Sequence, residues 1–331
     1  MVLRWGIASC SRASHDFAQA LKTFPTEEHI LFAVGSSNQE TSDTFRNLYH
    51  VERGYPCYES LAKDRDVDVI YVSVHNGLHY EICKLMLDNS KHVVCEKPLS
   101  YDKRTAKELT LLAKMKRVFL IEAMWTKFFP AWKFLDTIIE ENIIGELMFV
   151  QVTFGLSMYN RRNLDLKSMY KGSIMDFGLY GLTFQQNLFK DQIPMKVITT
   201  GHLGLQSVDE SASCIIHYPE GKTVDISVHT KVDLPNEAII VGTEGTIRIP
   251  HFWFPTKVIL PNGREEIFKL PGGEKTVSRT VAFIYLIDEV QKCIKKGLLE
   301  SEVHDHNCTL QIIAWMEMWR KQLEVKYDLD I

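Results

Sequence analysis

The first 124 residues alternate between short apolar runs and amphipathic stretches, and no other feature constrains the fold as strongly. The apolar runs are residues 3–8, 29–35, 66–74, 92–95 and 118–123. Stretches with helical spacing follow them: one that Ser14 or Asp16 would cap, then residues 38–49, 78–88 and 102–115. This alternation predicts a parallel, doubly wound α/β sheet. Right-handed crossovers leave a Rossmann-type topology as the simplest arrangement.

After residue 147 the pattern changes to strands of alternating polarity separated by hairpin signals. Strands are predicted at residues 148–154, 196–205, 212–218, 223–231, 238–242 and 246–249. They indicate an α+β domain with a large, mostly antiparallel open sheet, followed by two closing helices. Asp305, between His304 and His306, is expected to cap the last helix, and no metal site is predicted. The 331 residues suit two domains, which we expect to span residues 1–124 and 125–331.

The composition excludes several classes of partner. The formal net charge is −4 and no block of Lys and Arg stands out, so neither nucleic acid nor an anionic membrane surface is an expected partner. No apolar run approaches membrane-spanning length, and the sequence after Met1 enters a strand without a signal-peptide layout. The seven cysteines are scattered without a CxxC pair, which predicts reduced thiols and a cytoplasmic location.

The strand at residues 92–95 ends on Glu96, Lys97 and Pro98. Proline cannot continue a central ladder, so the strand must stop there. Open α/β sheets bind their ligands at the carboxyl ends of strands, which makes Glu96 and Lys97 candidate site residues. The alternative is a surface Glu–Lys pair before a turn.

The turn after the first strand is where a Rossmann-type sheet would bind a dinucleotide pyrophosphate. The fingerprint there is G-x-G-x-x-G/A, but this turn has Ser9, Ser11 and Ser14 at the three positions, and only Gly6 remains upstream. A serine hydroxyl can hydrogen-bond a phosphate, yet its Cβ crowds the approach and disfavours positive φ. The helix N-terminus and Arg12 would still offer an anion site.

The end of the second strand normally selects the cofactor. An acid there would hold the ribose 2′-hydroxyl of NAD, but residues 35–38 are Gly-Ser-Ser-Asn. The missing acid disfavours NAD. A 2′-phosphate would have only hydroxyls such as that of Ser37, the Asn38 amide and backbone N–H groups. An ordinary polar turn is the alternative interpretation.

The second half contains a glycine-rich run from Gly172 to Tyr180. If the run is helical, Asp176 and Tyr180 are four residues apart and share a face. Gly172, Gly178 and Gly181 are poor helix formers, so something should require a close approach there. An isolated Asp/Tyr pair is usually structural. Beside a lysine from another domain, it becomes a candidate proton-transfer site.

Together these motifs resemble the Gfo/Idh/MocA oxidoreductase family. The resemblance is carried by Glu96-Lys97-Pro98 with its strand and by the G-x-x-x-D-x-G-x-Y run at 172–180. The segments 3–7, 122–130 and 253–256 are similar to the branch of dimeric dihydrodiol dehydrogenases, which also oxidise D-xylose with NADP. Many family members have His where this chain has Tyr180. Relatives that use NADP tend to have Arg where it has Ser37.

The resemblance implies a role for each candidate residue. Tyr180 would be the general acid/base, assisted by the Lys97 cation, and Asp176 would orient Lys97 or a substrate hydroxyl. A free tyrosine has a pKa of about 10, too high for a base near neutrality, and a nearby cation would lower it. The cofactor would be bound by Gly6, Ser9, Ser11, Arg12, Ser37, Val74, His75, His79, Glu96 and Lys97, and the substrate by Trp125, Phe154, Asp176 and Trp253.

Two functions compete at this stage. The first is an NADP-dependent dehydrogenase acting on a trans-dihydrodiol or an aldose such as D-xylose. Residues 1–124 would bind the dinucleotide, and residues 125–331 would bind the substrate and form a homodimer through the open sheet. The second is a non-catalytic binding or sensing protein of the same fold, with a cofactor loop impaired by its serines.

Overall fold

The computed structural model describes residues 2–157, 166–189, 192–271 and 278–327. The chain forms two compact units. The first consists of Met1–Phe128 with Leu270–Leu310, and the second of Phe129–Lys269 with Gln311–Ile331. No helix in the described ranges has both the length and the apolar character that a membrane crossing requires.

The first unit contains a six-stranded parallel sheet, which confirms the predicted Rossmann-type topology. Its strands are β1 (Leu3–Ala8), β2 (His29–Gly35), β3 (Arg53–Tyr55), β4 (Val69–Val72), β5 (His92–Cys95) and β6 (Leu120–Glu122). They lie in the order β3-β2-β1-β4-β5-β6, and every neighbouring pair is parallel. The order reverses between β1 and β4, and ligands of such sheets bind at the carboxyl ends of the strands beside this switch point.

The helices of this unit follow the predicted alternation with two differences. They are α1 (Arg12–Leu21), α2 (Gln39–Tyr49), α3 (Tyr58–Lys63), α4 (His79–Asp88), α5 (Lys103–Lys116) and α8 (Ser278–Lys295). The short elements β3 and α3 were not predicted. The expected cap at Ser14 or Asp16 is wrong, because α1 begins at Arg12 and the Ser11 side chain accepts from the Ser14 N–H.

The core of the first unit includes a segment from late in the chain. The Phe17 ring of α1 stacks on Tyr71 of β4 at 4.0 Å, and Phe283 of α8 meets Phe17 edge-on at 5.5 Å. Leu286, with its neighbours on α8, belongs to the same buried cluster. The sequence analysis predicted one domain for residues 125–331 and did not predict that Leu270–Leu310 would belong to the first unit. The physical basis of this packing is the apolar face of α8, which is buried against α1.

The second unit is built on an eight-stranded, mostly antiparallel sheet, as predicted. Its strands are β7 (Leu147–Gly155), β8 (Lys196–Leu203), β9 (Asp209–His217), β10 (Thr223–His229), β11 (Glu237–Gly242), β12 (Thr246–Pro250), β13 (Lys257–Ile259) and β14 (Glu265–Ile267). The order is β14-β13-β12-β11-β7-β10-β9-β8, with β7 and β10 parallel to each other. The two shortest strands, β13 and β14, were not predicted.

One face of this sheet is covered within the unit. The helical elements are α6 (Pro130–Glu140), a π-helical segment (Ile174–Gly178), α7 (Leu179–Leu188) and α9 (His306–Gln322). Along β10, Val224, Ile226 and Val228 are buried while the residues between them are half-buried. Helix α7 packs on β7 and β10. The alternation of β10 therefore directs its polar side chains to the other face of the sheet, where they are half-buried.

Candidate active site

The serine turn after β1 keeps the backbone shape that a dinucleotide-binding turn requires. Ser9 has a φ of 95°, in the region that glycine adopts without strain. Its N–H donates to the Gly35 carbonyl at 2.9 Å, which extends the pairing with β2. Ser11 then caps α1 by accepting from the Ser14 N–H, so the helix begins directly after the turn. The expected cost of serine at positive φ is therefore present, and the turn forms nonetheless.

A directed chain of hydroxyl groups holds this turn. The Ser14 hydroxyl donates its single hydrogen to the Ser9 carbonyl at 2.7 Å. Because Ser14 has no second hydrogen, the Ser73 hydroxyl must be the donor in the 2.5 Å contact between Ser73 and Ser14. Ser11 donates in turn to Ser73 at 3.1 Å. Ser14 and Ser73 are both buried. Because Ser73 directly follows β4, the chain joins the turn, α1 and β4 at the switch point, and the serines are structural parts of the turn.

The residues beside this turn can contact a dinucleotide cofactor. Arg12 and Ser37 are exposed, and Ser36 is buried. The Asn38 side chain is used to cap α2 by accepting from the Thr41 N–H at 2.9 Å. Ser37 therefore offers a free-standing hydroxyl at a position where NAD-specific sites place an acid.

Tyr58 is a further residue at this turn that the sequence did not indicate. Its phenol hydrogen-bonds with Ser9, and burial raises its pKa above the ordinary value. Tyr58 begins α3, the short helix that periodicity missed. Gly6, predicted to bind cofactor, lies inside β1, and a Cβ there would come within 3.0 Å of Val67 and 3.2 Å of Leu61. The structure thus explains Gly6 by packing against these two side chains.

The Glu96–Lys97–Pro98 segment lies at the carboxyl end of β5, as predicted. The Glu96 N–H donates to the Val72 carbonyl at 2.8 Å, and the Tyr71 hydroxyl donates to Glu96 Oε1 at 2.7 Å. Burial and the Glu96 charge together raise the pKa of Tyr71 well above its ordinary value. Lys97 is half-buried. The strand therefore delivers a fixed carboxylate and a cation to the ligand-binding edge of the sheet.

The predicted cofactor residues after β4 are joined to this segment through His79. The His79 ring is fully buried, with Nδ1 2.7 Å from the Pro98 carbonyl oxygen and Nε2 3.0 Å from that of Val74. His79 thus connects the loops after β4 and β5. Val74 is buried and His75 half-buried in the first of these loops.

Three of the predicted catalytic and substrate residues come together in the second unit. Tyr180, on α7, is 5% exposed, and its ring meets Phe154 edge-on at 5.4 Å. The Trp253 ring stacks on the same Phe154 ring, with 5.5 Å between the ring centroids and an angle of 6° between the planes. Trp125, the third aromatic residue predicted to contact substrate, lies in the first unit, where it packs against the core.

Asp176 lies in the π-helical segment one turn before Tyr180. Its Oδ1 is 3.1 Å from the Lys171 ammonium, and both side chains are largely buried. The sequence suggested Lys97 or a substrate hydroxyl as its partner and missed Lys171. π-Helical turns are rare and occur frequently at functional sites.

Close contacts require glycine at two positions of the run and favour it at the third, which confirms the predicted close approach. A Cβ on Gly172 would lie 2.3 Å from Asp209 Oδ1, and one on Gly181 would lie 2.5 Å from Ile226 Cγ2. A Cβ on Gly178 would lie 3.1 Å from the Trp319 ring. The glycines therefore seat α7 on β10 and α9, which fixes the position of Tyr180.

Asp209 supports the start of this run and was not anticipated. Its Oδ2 accepts from the Ser173 hydroxyl at 2.6 Å and from the Ile174 N–H at 2.7 Å. It is buried at the start of β9, and this burial raises its pKa from 3.8 to about 6. No spacing pattern reveals it, because it lies more than 30 residues from its partners along the chain.

Across the described residues, no group of three or more His, Cys, Asp or Glu side chains could hold a metal ion.

The fold and these residues define a dinucleotide-dependent oxidoreductase. Residues 3–123 match the family described as an oxidoreductase family with an NAD-binding Rossmann fold, and residues 132–248 match the GFO/IDH/MocA C-terminal domain. The chain belongs to the Gfo/Idh/MocA family and is an NAD(P)-dependent oxidoreductase of that family.

Several curated relatives of this chain carry one common name. The chain is 34% identical over 330 residues to trans-1,2-dihydrobenzene-1,2-diol dehydrogenase of Xenopus laevis, covering 99% of this chain and all of the relative. The enzyme of the same name from Mus musculus is 31% identical and that from Homo sapiens 29%, each over the whole of this chain and 99% of the relative.

Solved structures share the fold over nearly the whole chain. A levoglucosan dehydrogenase in complex with NADH and levoglucosan superposes with a TM-score of 0.86 at 17% identity, covering 98% of both chains. An aldose-aldose oxidoreductase from Caulobacter crescentus gives 0.83 at 18% identity, again covering 98% of each chain. A 3-ketoreductase variant from Actinomadura kijaniata, in complex with NADP, gives 0.82 at 20% identity over 97% of this chain and 98% of that one.

Proposed function

We propose that this protein is an NADP-dependent dehydrogenase that oxidises a trans-dihydrodiol or an aldose of the D-xylose type. The observation that carries the proposal is the buried Tyr180 phenol beside the stacked rings of Phe154 and Trp253. An aromatic wall next to a proton-transfer group suits a cyclic diol or the carbon face of a sugar. The shared name of the curated relatives supports the dihydrodiol, and the preserved cofactor turn supports an active enzyme over a sensing module.

The cofactor would be held by this chain's own turn and loop residues. The N-terminus of α1, Ser11 and Arg12 would bind the pyrophosphate, because helix N-termini and cations attract anions. Ser37 and the neighbouring backbone would receive the 2′-phosphate. An acid that would favour NAD is missing among residues 35–38. When bound, the nicotinamide supplies a hydride acceptor for the carbon that is oxidised.

The proton steps belong to the protein. Tyr180, as the phenolate, takes the hydroxyl proton of the substrate while the hydride leaves the adjoining carbon. Asp176, held by Lys171, orients the substrate hydroxyl. Lys97 and Trp125 belong to the first unit and keep the roles that the family resemblance implies for them, a cation that favours the phenolate and an apolar contact for the substrate. Phe154 and Trp253 provide further apolar contact to the substrate.

Replacing Tyr180 by Phe tests the role that the proposal gives to this residue. Turnover of a trans-dihydrodiol or of D-xylose with NADP should fall by about 100- to 10,000-fold, the usual contribution of a general acid/base. NADPH binding, followed by fluorescence, should persist. Tyr218→Phe is the matched control, since it removes another buried phenol hydroxyl, which accepts from Gln185 at 2.5 Å. Unchanged turnover in Tyr180→Phe would refute the assignment.

We also propose that the protein forms a cytoplasmic homodimer through the open face of the eight-stranded sheet. That face carries half-buried residues such as Phe149, Ile215 and Ile239 among polar neighbours. Replacing Ile215 by Asp should convert a dimer into a monomer, as measured by sedimentation velocity, because an ion would be buried at the interface. Sedimentation of the unmodified protein as a single chain would contradict the proposal.

A further inference from the structure

One peptide group, between Pro98 and Leu99, is held at both of its polar atoms by buried side chains. The His79 ring lies 2.7 Å from the Pro98 carbonyl oxygen, and the Leu99 N–H donates to Glu122 Oε1 at 2.9 Å. Glu122 is 2% exposed and His79 is completely buried. The Leu99 N–H faces an acceptor, and the Pro98 oxygen accepts from His79 when Nδ1 carries the ring hydrogen, so rotation of the peptide plane would lose both contacts. This plane begins one residue after Lys97.

The second carboxylate oxygen of Glu122 is held by a residue from late in the chain. His304 Nε2 lies 2.9 Å from Glu122 Oε2, and both side chains are 1% exposed. A carboxylate only accepts hydrogen bonds, so Nε2 must carry the hydrogen. Thr309 Oγ1 lies 3.2 Å from the same nitrogen. Glu122 is therefore fixed between the Leu99 N–H and the His304 ring.

The segment that carries His304 is itself attached to the edge strand β6. The Leu120 N–H donates to the Leu299 carbonyl at 3.0 Å, and His306 Nε2 lies 2.9 Å from the Leu120 carbonyl oxygen. Burial lowers the pKa of His306, which favours a neutral ring that donates to this oxygen. Residues 299–306 thus cover the outer edge of β6 and set the position of His304.

The residue before Lys97, Glu96, is also held by hydrogen bonds. The Tyr71 hydroxyl donates to Glu96 Oε1 at 2.7 Å, and Glu96 is paired through its backbone to Val72. Glu96, Pro98 and Leu99 are therefore each held by a side chain of another element, namely β4, α4 and β6. The segment after α8 supports the last of these side chains, Glu122. The ammonium of Lys97 is carried on a flexible side chain, so a fixed backbone narrows the positions that it reaches.

The energetics indicate that this arrangement does more than stabilise the fold. Burying a carboxylate beside an imidazole has a large desolvation cost, and apolar residues of similar volume often stabilise a protein as well or better. A core that needed only stability would not require Glu122 and His304. Both are placed where they fix the peptide that follows Lys97.

We propose that Glu122 and His304 are positioning residues for Lys97, acting through the Pro98–Leu99 peptide group. This rests on the proposed function, in which Lys97 takes part in the reaction. Each is 2% exposed, so they would act through the protein and not by direct contact with a ligand. Their effect on catalysis is the orientation that they impose on the lysine.

Replacing Glu122 by Leu tests this role through the split between kcat and cofactor affinity. The variant loses the acceptor for the Leu99 N–H, so kcat should fall by about 100-fold, the usual consequence of misplacing a reacting group by about 1 Å. The Kd for NADPH should change by less than about threefold, which is under 1 kcal/mol. Glu122→Gln keeps an amide oxygen for the Leu99 N–H and should recover most of kcat. A purely structural role predicts lower stability with unchanged kcat in the folded protein.

A matched control removes a buried hydrogen bond elsewhere in the same unit. His29, 3% exposed at the start of β2, accepts from Trp5 Nε1 at 2.9 Å. His29→Leu should lower stability as Glu122→Leu does, as measured by urea unfolding, but leave kcat within about twofold because it lies at the amino end of the sheet. A similar loss of kcat in both variants would overturn the proposal.

A second readout does not depend on turnover. Reductive methylation with carbon-13 gives each lysine an NMR signal, and Lys97→Arg identifies the one from Lys97. That signal should move toward the position of a solvated lysine in Glu122→Leu and stay in place in His29→Leu and Glu122→Gln. An unmoved signal in Glu122→Leu would overturn the proposal. If the unmodified protein turned over no substrate, the proposed function would fail while this measurement still decided the positioning role.

Discussion

The serine turn after β1 and the glycine run before Tyr180 both lie at positions where glycine is the expected residue, but only the run contains glycine. In the turn, Ser9 adopts a φ of 95° and the hydroxyls of Ser11, Ser14 and Ser73 form a hydrogen-bonded chain. In the run, Gly172 and Gly181 leave no room for a Cβ, with 2.3 Å and 2.5 Å to the nearest atoms. At Ser9 a conformational demand has been met by serine. At Gly181 the demand is steric, and at Gly172 it is both steric and conformational, with a φ of +151°.

The difference shows how a fingerprint can be lost while its geometry is retained. A positive φ costs a non-glycine residue about 1–3 kcal/mol, which a few buried hydrogen bonds of about 1 kcal/mol each can offset. A backbone or buried carboxylate at 2.3 Å from a Cβ cannot be offset without moving one of the elements. The absence of glycine is therefore weak evidence against a cofactor turn, and the presence of glycine in the second unit is strong evidence of close packing.

The largest effect is expected from Gly172→Ala. The new Cβ would collide with the buried Asp209 carboxylate and would hold alanine at a φ of +151°, so the free energy of unfolding should drop by more than about 3 kcal/mol. Gly263→Ala is the matched control, since it has a φ of +80° and an open surrounding, and should cost about 1 kcal/mol. Urea unfolding measures both. Equal losses would show that strain in φ, and not the contact with Asp209, explains Gly172.

The second-largest effect is expected in the pH dependence of the free energy of unfolding, to which the Asp209 carboxyl should contribute. Its pKa is raised from 3.8 to about 6 by burial, so folding favours the protonated form. The stabilisation is complete below about pH 4 and is lost as the pH rises through about 6, a change of about 3 kcal/mol. Asp209→Asn keeps an oxygen for Ser173 and Ile174 and should remove this part of the pH profile, while Asp225→Asn on β10 should not. Parallel profiles for the unmodified protein and Asp209→Asn would contradict the assignment.

The smallest effect is expected from Ser9→Gly. Relief of the positive φ should stabilise the protein by about 1 kcal/mol. NADPH affinity should change by less than about threefold, because the turn already has its required shape. Ser90→Gly, which relieves a φ of 58° at an exposed position after α4, controls for the general effect. A gain in affinity of about 100-fold in Ser9→Gly alone would show that the native turn is impaired.

The sequence predicted the elements whose signals are local. The parallel order of the first sheet follows from the alternation, and the stop of β5 follows from Pro98. The elements β3 and α3 were missed because three- and six-residue stretches are too short for a period to show. The return of α8 to the first unit has no local signal, since its apolar face would suit either core.

The candidate site was predictable only where its residues belong to contiguous motifs. Tyr180 and Lys97 were predicted from such motifs, and Phe154 and Trp253 from the resemblance. The residues that hold these groups come from far along the chain: Ser73 is 59 residues from Ser14, and His304 is 182 residues from Glu122. Such pairs are set by topology, so spacing could not reveal them.

The most direct test of the account is a fluorescence titration of the unmodified protein with NADPH and with NADH. The account predicts saturable binding of NADPH in the micromolar range and clearly weaker binding of NADH, because the serine turn is formed and residues 35–38 provide no acid for the NAD ribose. An absence of NADPH binding up to millimolar concentration would contradict it and would favour a sensing module with this fold.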